Sequence, residues 1–163
     1  MFTGALKASY YGTPRTTMDV YIVVRFARGK PHTQLVSALK KAGLQVNEGR
    51  IDAALKSGFR IVTLKDRKTP FTLDIVLSDK KLEKKAGTIL DLPTFYQTPE
   101  GLVLSKLRMI KATVPREKAL KDEDDVRAIL KFTEVDMRTL KGQALKENTL
   151  SILESIVTPM TDI

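Results

Sequence analysis

The stretch YYGTPRTTMDVYIVVRF, residues 10 to 26, places a carboxylate, Asp19, at the head of an apolar run rich in β-branched residues. On a strand, side chains alternate faces, so residues 19 and 21 project to the same side about two strand rises apart. Two carboxylates at that spacing can share a pair of divalent cations, and a third from an adjacent strand completes a clamp for a triphosphate and an attacking hydroxyl. Residue 21 is instead a tyrosine, and a neutral phenol is a poor ligand for a hard cation. Asp74, in PFTLDIVLS, is the candidate for the adjacent strand. Its plainer alternative is an aspartate near a strand end that faces water. Asp79 and Asp91 are the other acids in reach, but spacing places neither beside Asp19.

The rest of the composition narrows the chemistry. The chain has no cysteine and one histidine, His32, which excludes disulfides, thiolate metal sites and cysteine nucleophiles and argues against a zinc site or a histidine-dependent triad. Carboxylates and basic groups are left to carry any reaction. The 28 Lys and Arg against 19 Asp and Glu give a formal charge of +9, a positive field suited to nucleotides, RNA or other polyanions. Six basic residues stand against one acid between positions 105 and 121, a cluster able to follow a phosphate backbone or simply to coat a solvated helix. Few aromatic residues lie near it, so no stacking platform for single strands is expected. The apolar runs are too short to cross a bilayer, and residues 1 to 15 lack the order of a signal peptide, so a cytoplasmic protein is expected.

The elements that must position these residues are legible in outline. Strands are expected over Met18 to Phe26, Gly58 to Leu64 and Phe71 to Leu77, and a weaker one over Thr88 to Leu92. HTQLVSALKKAG, with Leu35, Val36 and Leu39 on one face, and IDAALKS read as helices between the first two strands. KDRKTP suits a basic turn between antiparallel neighbours. From Thr98 the pattern turns helical: TPEGL offers a Thr cap, a first-position Pro and a first-turn Glu, and three or four helices follow. The 163 residues thus read as an α/β (α+β) mixed sheet flanked by helices over 1–97, with a C-terminal helical region, 98–163, packed on it. KDEDDV lacks the Gly and terminal Glu of an EF-hand and reads as acids in a helix's first turn. Tyr10, Tyr11 and Phe26 are candidate core residues, or the flank of a base pocket.

GALKASYYGTPRTTMDVYIVV resembles the opening motif of the minimal nucleotidyltransferase-like proteins related to DNA polymerase beta, including prokaryotic nucleotidyltransferases and AbiEii-type toxins of toxin–antitoxin pairs. Gly4 and Ala5 stand at the family's pair of small residues, while Gly12, Arg15, Thr17 and Asp19 follow its pattern and Asp74 matches its later strand carboxylate. TPEGLVLSKLRMIK followed by KDEDDVRAIL is similar to the family's C-terminal half, and the likeness covers roughly residues 3 to 131.

The resemblance implies a nucleotidyltransferase-like fold and transfer of a nucleoside monophosphate from a magnesium-bound NTP to a hydroxyl of RNA or protein. Magnesium, or another divalent cation, would rest on Asp19 and Asp74. Gly4 and Ala5 would let phosphates approach a helix N-terminus, Thr17 would belong to the nucleotide site, and Arg15 and Lys106 would offset phosphate charge. Lys106 reads equally well as a solvated helix residue. Tyr21 departs from the pattern and weakens or abolishes the expected activity, so the alternative is an inactive nucleotide-, RNA- or protein-binding module of the same fold. The family also carries a helix and strand before its small pair, whereas Met1 to Thr3 alone precede Gly4 here. A missing strand would leave a sheet edge open to a second copy, which suggests a homodimer.

Overall fold

The computed structural model describes residues 1–12, 16–26, 30–57, 60–65, 69–78, 81–89 and 91–158, with Ala5, Leu6 and Arg116 described by their backbone alone. A short strand β1 (Phe2–Thr3) runs into helix α1 (Gly4–Tyr11), followed by β2 (Asp19–Arg25), α2 (Pro31–Lys41) and α3 (Glu48–Lys56). Four strands then follow, β3 (Ile61–Lys65), β4 (Thr72–Ser78), β5 (Lys84–Ile89) and β6 (Leu92–Gln97). The chain ends in α4 (Pro99–Ala112), a 3-10 turn (Arg116–Ala119), α5 (Leu120–Phe132), α6 (Met137–Lys146) and α7 (Leu150–Val157).

The strands form one mixed sheet in the order β3-β4-β2-β1-β6-β5. β2 and β4 are parallel, whereas β3 lies antiparallel to β4, as the KDRKTP turn implied. The α+β class expected from the sequence is present. Two strand expectations need correction. The second strand is Ile61–Lys65, one residue longer at its end than expected, while Gly58 and Phe59, where it was expected to begin, lie outside the described residues; Thr88 to Leu92 is the tip of a β5–β6 hairpin, with Asp91 turned to φ 63° between the strands. Pro93 is tolerated because it stands next to the hairpin tip, opposite Thr88, where few ladder bonds are at stake.

The open edge expected before Gly4 is also corrected. Phe2 and Thr3 pair with Ile22 and Tyr21 on one side, and Phe2 pairs with Tyr96 on the other. The Met1 ammonium donates to Val23 O at 3.0 Å, and Val23 N donates to Met1 O at 2.8 Å. The sheet therefore continues through β1 into β6, and its edges are β3 and β5.

Alternation along the strands gives the sheet two unlike faces. Val62, Ile75 and Leu77 point to α2 and α3 and form a core with Leu35, Val36, Leu39, Ile51 and Ala54. The alternate positions, including Asp19, Tyr21, Thr63 and Asp74, point the other way. A second core joins Ala8 and Tyr11 of α1 to the buried residues of α4 to α7. The start of α4 is as the sequence implied: Thr98 Oγ1 accepts from Gly101 N at 3.2 Å, Pro99 opens the helix and Glu100 sits in its first turn.

Candidate functional site

Asp74 lies in the middle of β4, not at its end. Its neighbour Ile75 is buried against α2 and α3, so strand alternation sends the carboxylate to the opposite face. The parallel register sets Tyr21 directly beside Asp74 and Asp19 two positions earlier, beside Thr72. Asp19 and Asp74 thus share one face of adjacent strands with Tyr21. Thr63, opposite Asp74 on β3, donates its hydroxyl to Asp74 Oδ1 at 2.5 Å. Thr17 holds the approach to Asp19: its Oγ1 accepts from Asp19 N and donates to Asp19 O, both at 3.2 Å.

The phenol of Tyr21 has its pKa raised. Burial is the largest cause, followed by the charge of Asp74 and a hydrogen bond to that carboxylate, then by the charges of Asp19 and Asp122. Three carboxylates from β2, β4 and α5 therefore act on one hydroxyl and hold it neutral.

Gly4 brings the start of α1 to the same place. It sits at φ 71°, and a Cβ built on it would come within 3.0 Å of Tyr21 Cδ2, so a side chain here would be both strained and crowded. Thr3 precedes the helix but gives its hydroxyl to Gln97 Oε1, leaving the first amides of α1 without a side-chain cap. Ala5 is the second residue of that helix. Gly12 closes α1, where a Cβ would come within 2.7 Å of Ala128 Cβ. Arg15, with Pro14, lies outside the described residues, as does Asp79. Asp91 sits in the β5–β6 turn, and β1 and β6 separate that turn from β2.

Lys106 is not the solvated helix residue that the sequence allowed. It is buried, and its Nζ lies 2.6 Å from Asp125 Oδ2 and 2.9 Å from Asp122 Oδ1. The alternation of α4 explains this: Leu102, Val103, Leu107 and Ile110 are buried on the stripe that Lys106 occupies. The two acids that face it belong to KDEDDV on α5. Asp122 sits in the first turn of that helix, as the sequence implies, and serves the ion pair besides. The basic cluster is likewise partly committed, since Arg108 Nη1 donates to Glu147 Oε1 at 2.8 Å.

Two further groups escape a reading of the sequence. Thr63 carries no signal, because threonine in a strand is unremarkable until its register is known. Lys7 is 1% exposed, with Nζ 3.4 Å from the ring centroid of Tyr10, 3.6 Å from that of Tyr96 and 3.9 Å from that of Tyr11. Its place one turn before the buried Tyr11, beside the buried Ala8, is a usable hint. Tyr11 is core, as expected, whereas Tyr10 is 69% exposed and stacks on Tyr96.

The donor set can be tested against the expected cation. Two carboxylates share one face of adjacent strands, and Asp74 is already engaged by the hydroxyls of Thr63 and Tyr21. Among the described residues no group of three or more His, Asp or Glu side chains is placed to hold a metal ion. Two carboxylate ligands suit a single hard cation completed by oxygens of a bound phosphate chain; they do not suit a shared pair of cations.

With this geometry in view, comparison with known proteins is informative about the fold. The structure matches the crystal structure of an antigenic nucleotidyltransferase-like protein from Paracoccidioides brasiliensis with a TM-score of 0.62 and 12% identity, covering 99% of this chain and 81% of that one. The fold is accordingly nucleotidyltransferase-like. No protein-family model matches the sequence, and no curated protein does. Among the described residues no helix is long and apolar enough to cross a membrane.

Proposed function

We propose that the face carrying Asp19 and Asp74 binds a nucleoside triphosphate with one divalent cation, and that Tyr21 slows any transfer of nucleoside monophosphate to a hydroxyl of RNA or protein. The observation that carries this reading is the register of β2 on β4, which puts Asp19 and Asp74 on one face beside the uncapped start of α1. The amides of α1 would receive phosphate oxygens, favoured by the helix dipole, while Gly4 lets the start of the helix close on the Tyr21 ring. Asp19 and Asp74 would hold the cation, and Thr17 would keep Asp19 oriented. Arg15 would offset phosphate charge. A single cation, magnesium by charge and ligand type, would neutralise the phosphate chain. What Tyr21 removes is the shared ligand for a second cation, and with it the activation of an attacking hydroxyl.

Lys106 supports the site indirectly. Its ammonium is committed to Asp122 and Asp125, which pins α5 and places the Asp122 charge near Tyr21. An inactive binding module of the same fold is the second reading, and the neutral Tyr21 favours it.

Calorimetric titration with each NTP, with and without magnesium, tests the proposal alongside an Asp19→Ala control. Magnesium-dependent binding that disappears in the control supports a nucleotide site on this face. Absence of binding would overturn the nucleotide reading and leave the fold with a protein or RNA partner.

A further inference from the structure

We propose a second ligand site at the opposite end of the sheet, a cavity of about 620 Å³ that takes a small organic phosphate with an apolar body. β2 and β4 both run from the acidic face toward this cavity. Phe26 lies seven residues past Asp19 on β2, roughly 20 Å at an ordinary strand rise, and Leu77, although only three residues past Asp74 on β4, packs on the opposite face of the sheet with α2 and α3, so a ligand here does not occupy the Asp19 and Asp74 site. The volume falls within the usual range of small-molecule pockets, about 300–1,000 Å³. Its position, past the carboxyl ends of adjacent parallel strands, is where open α/β sheets present crevices.

The lining divides by chemistry. Phe26, Leu55 and Leu77 give an apolar wall, continuous with the core between the sheet and α2–α3. Among the described lining residues, Lys30, His32 and Arg60 are basic and Asp52 is the one acid. Lys30 makes no ion pair among the described residues, and it immediately precedes α2. Leu77 N donates to Arg60 O at 2.8 Å, which ties the start of β3 to the end of β4 and fixes the Arg60 backbone at the cavity. His32 adds an unmet polar group: Nε2 is shielded from solvent and makes no hydrogen bond, with Asp52 Oδ1 3.5 Å away, beyond ordinary hydrogen-bond length. An oxygen of a bound ligand would meet that need. An apolar wall beside the Lys30 and Arg60 side chains selects an anion with a hydrophobic body over either a free inorganic anion or a neutral apolar molecule.

Titration of the full chain with phenyl phosphate, followed by amide ¹H–¹⁵N spectra, tests this, with inorganic phosphate and benzyl alcohol as parallel probes. Saturable shifts are expected at His32, Thr33, Leu55 and Ser78, with Asp19, Tyr21 and Asp74 unmoved, and with phenyl phosphate binding more tightly than either other probe. Lys30→Glu, an exposed change outside the core, should weaken phenyl phosphate about tenfold, and Lys30→Arg should restore it. Overturning results are no saturable shift, shifts confined to the Asp19 face, equal binding of all three probes, or indifference to Lys30→Glu. Because the reporting amides belong to different ends of the sheet, failure here is distinguishable from failure of nucleotide binding.

Discussion

On the face shared by Asp19 and Asp74 the chain sets a phenol that burial and three carboxylates keep protonated, so the face carries less negative charge than a full acidic clamp and needs less cation to be stable. Tyr21→Asp reverses this balance. Without a cation, the added charge should lower stability by roughly 1 kcal/mol, the scale of like charges placed side by side on a sheet; with magnesium, the melting temperature should recover and exceed that of the unmodified protein. Thermal melts in chelator and in magnesium read both arms, and a variant indifferent to magnesium would count against the proposed cation site beside residue 21. Lys7 poses a different residue-scale problem, an ammonium enclosed by three rings. Its pKa is lowered from 10.5 to about 8, by burial first and then by the charge of Lys85. The ring contacts, each worth about 0.5–2 kcal/mol, offset only part of the cost of removing the charge from water. Since the folded value lies below the unfolded one, the unfolded chain binds more protons between the two, and stability rises with pH across that window. Tyr11 works in the opposite sense at higher pH: it is pushed up from 10.0 to about 12, by burial first and then by Tyr10 and Glu100, so stability falls once the unfolded phenol ionises. The clean interval for Lys7 is therefore about pH 8 to 10. Lys7→Met should remove the rise in that interval and melt higher at pH 7, because a thioether suits an aromatic surround without a buried charge. A rise that persists in the variant would assign it to another group.

At the scale of elements, α4 and α5 are joined by charges placed on stripes that packing would otherwise reserve for apolar residues. Lys106→Met takes from Asp125, itself buried, the ammonium 2.6 Å away and should destabilise the protein by about 3 kcal/mol in chemical denaturation, whereas adding Asp125→Leu should recover part of the loss. A small loss in the single variant would mean that the pair is solvated after all. The same stripes show what the sequence discloses and what it withholds. The spacing of Leu102, Val103, Leu107 and Ile110 defines the buried face of α4, and Lys106 lies on it, so burial is legible there; its two partners are not, since helix spacing does not say which helices meet. β2 and β4 are readable from their β-branched runs and Asp19 from its alternation, but their pairing as parallel neighbours, which puts Asp74 beside Tyr21, requires the intervening helices to cross over the sheet. The start of α4 is legible in full because its signals are local: a cap, a proline and a glutamate within three residues. The β5–β6 hairpin misleads for the converse reason, since Pro93 is a local breaker whose effect depends on where the tip falls. β1 is invisible to periodicity because two residues carry no period, and only their pairing on both sides makes them a strand.

Across the whole molecule a charge of +9 acts as a long-range field, and the local pairings decide which basic groups are free to serve it. Lys106 is buried and neutralised, and Arg108 is paired with Glu147, while Lys111 Nζ lies 3.5 Å from Glu147 O. The basic run between residues 105 and 121 is therefore less available to a phosphate backbone than its composition suggests. The edge strand β5 presents Lys84 and Lys85, both exposed, although Lys84 Nζ also sits 3.5 Å from the Phe95 ring centroid. Binding to a polyanion such as heparin should consequently fall steeply with salt, as counterion release requires, while the slope should depend more on β5 than on α4. Lys84→Ala with Lys85→Ala should lessen the slope by about 2 on a plot of log affinity against log salt, near one for each anionic group that is no longer neutralised. Arg108→Ala should leave it nearly unchanged, because that guanidinium is already matched by a carboxylate. Affinity chromatography and salt titrations of the three proteins decide the matter: a slope that follows Arg108 and ignores Lys84 and Lys85 would move the electrostatic surface back to the helices.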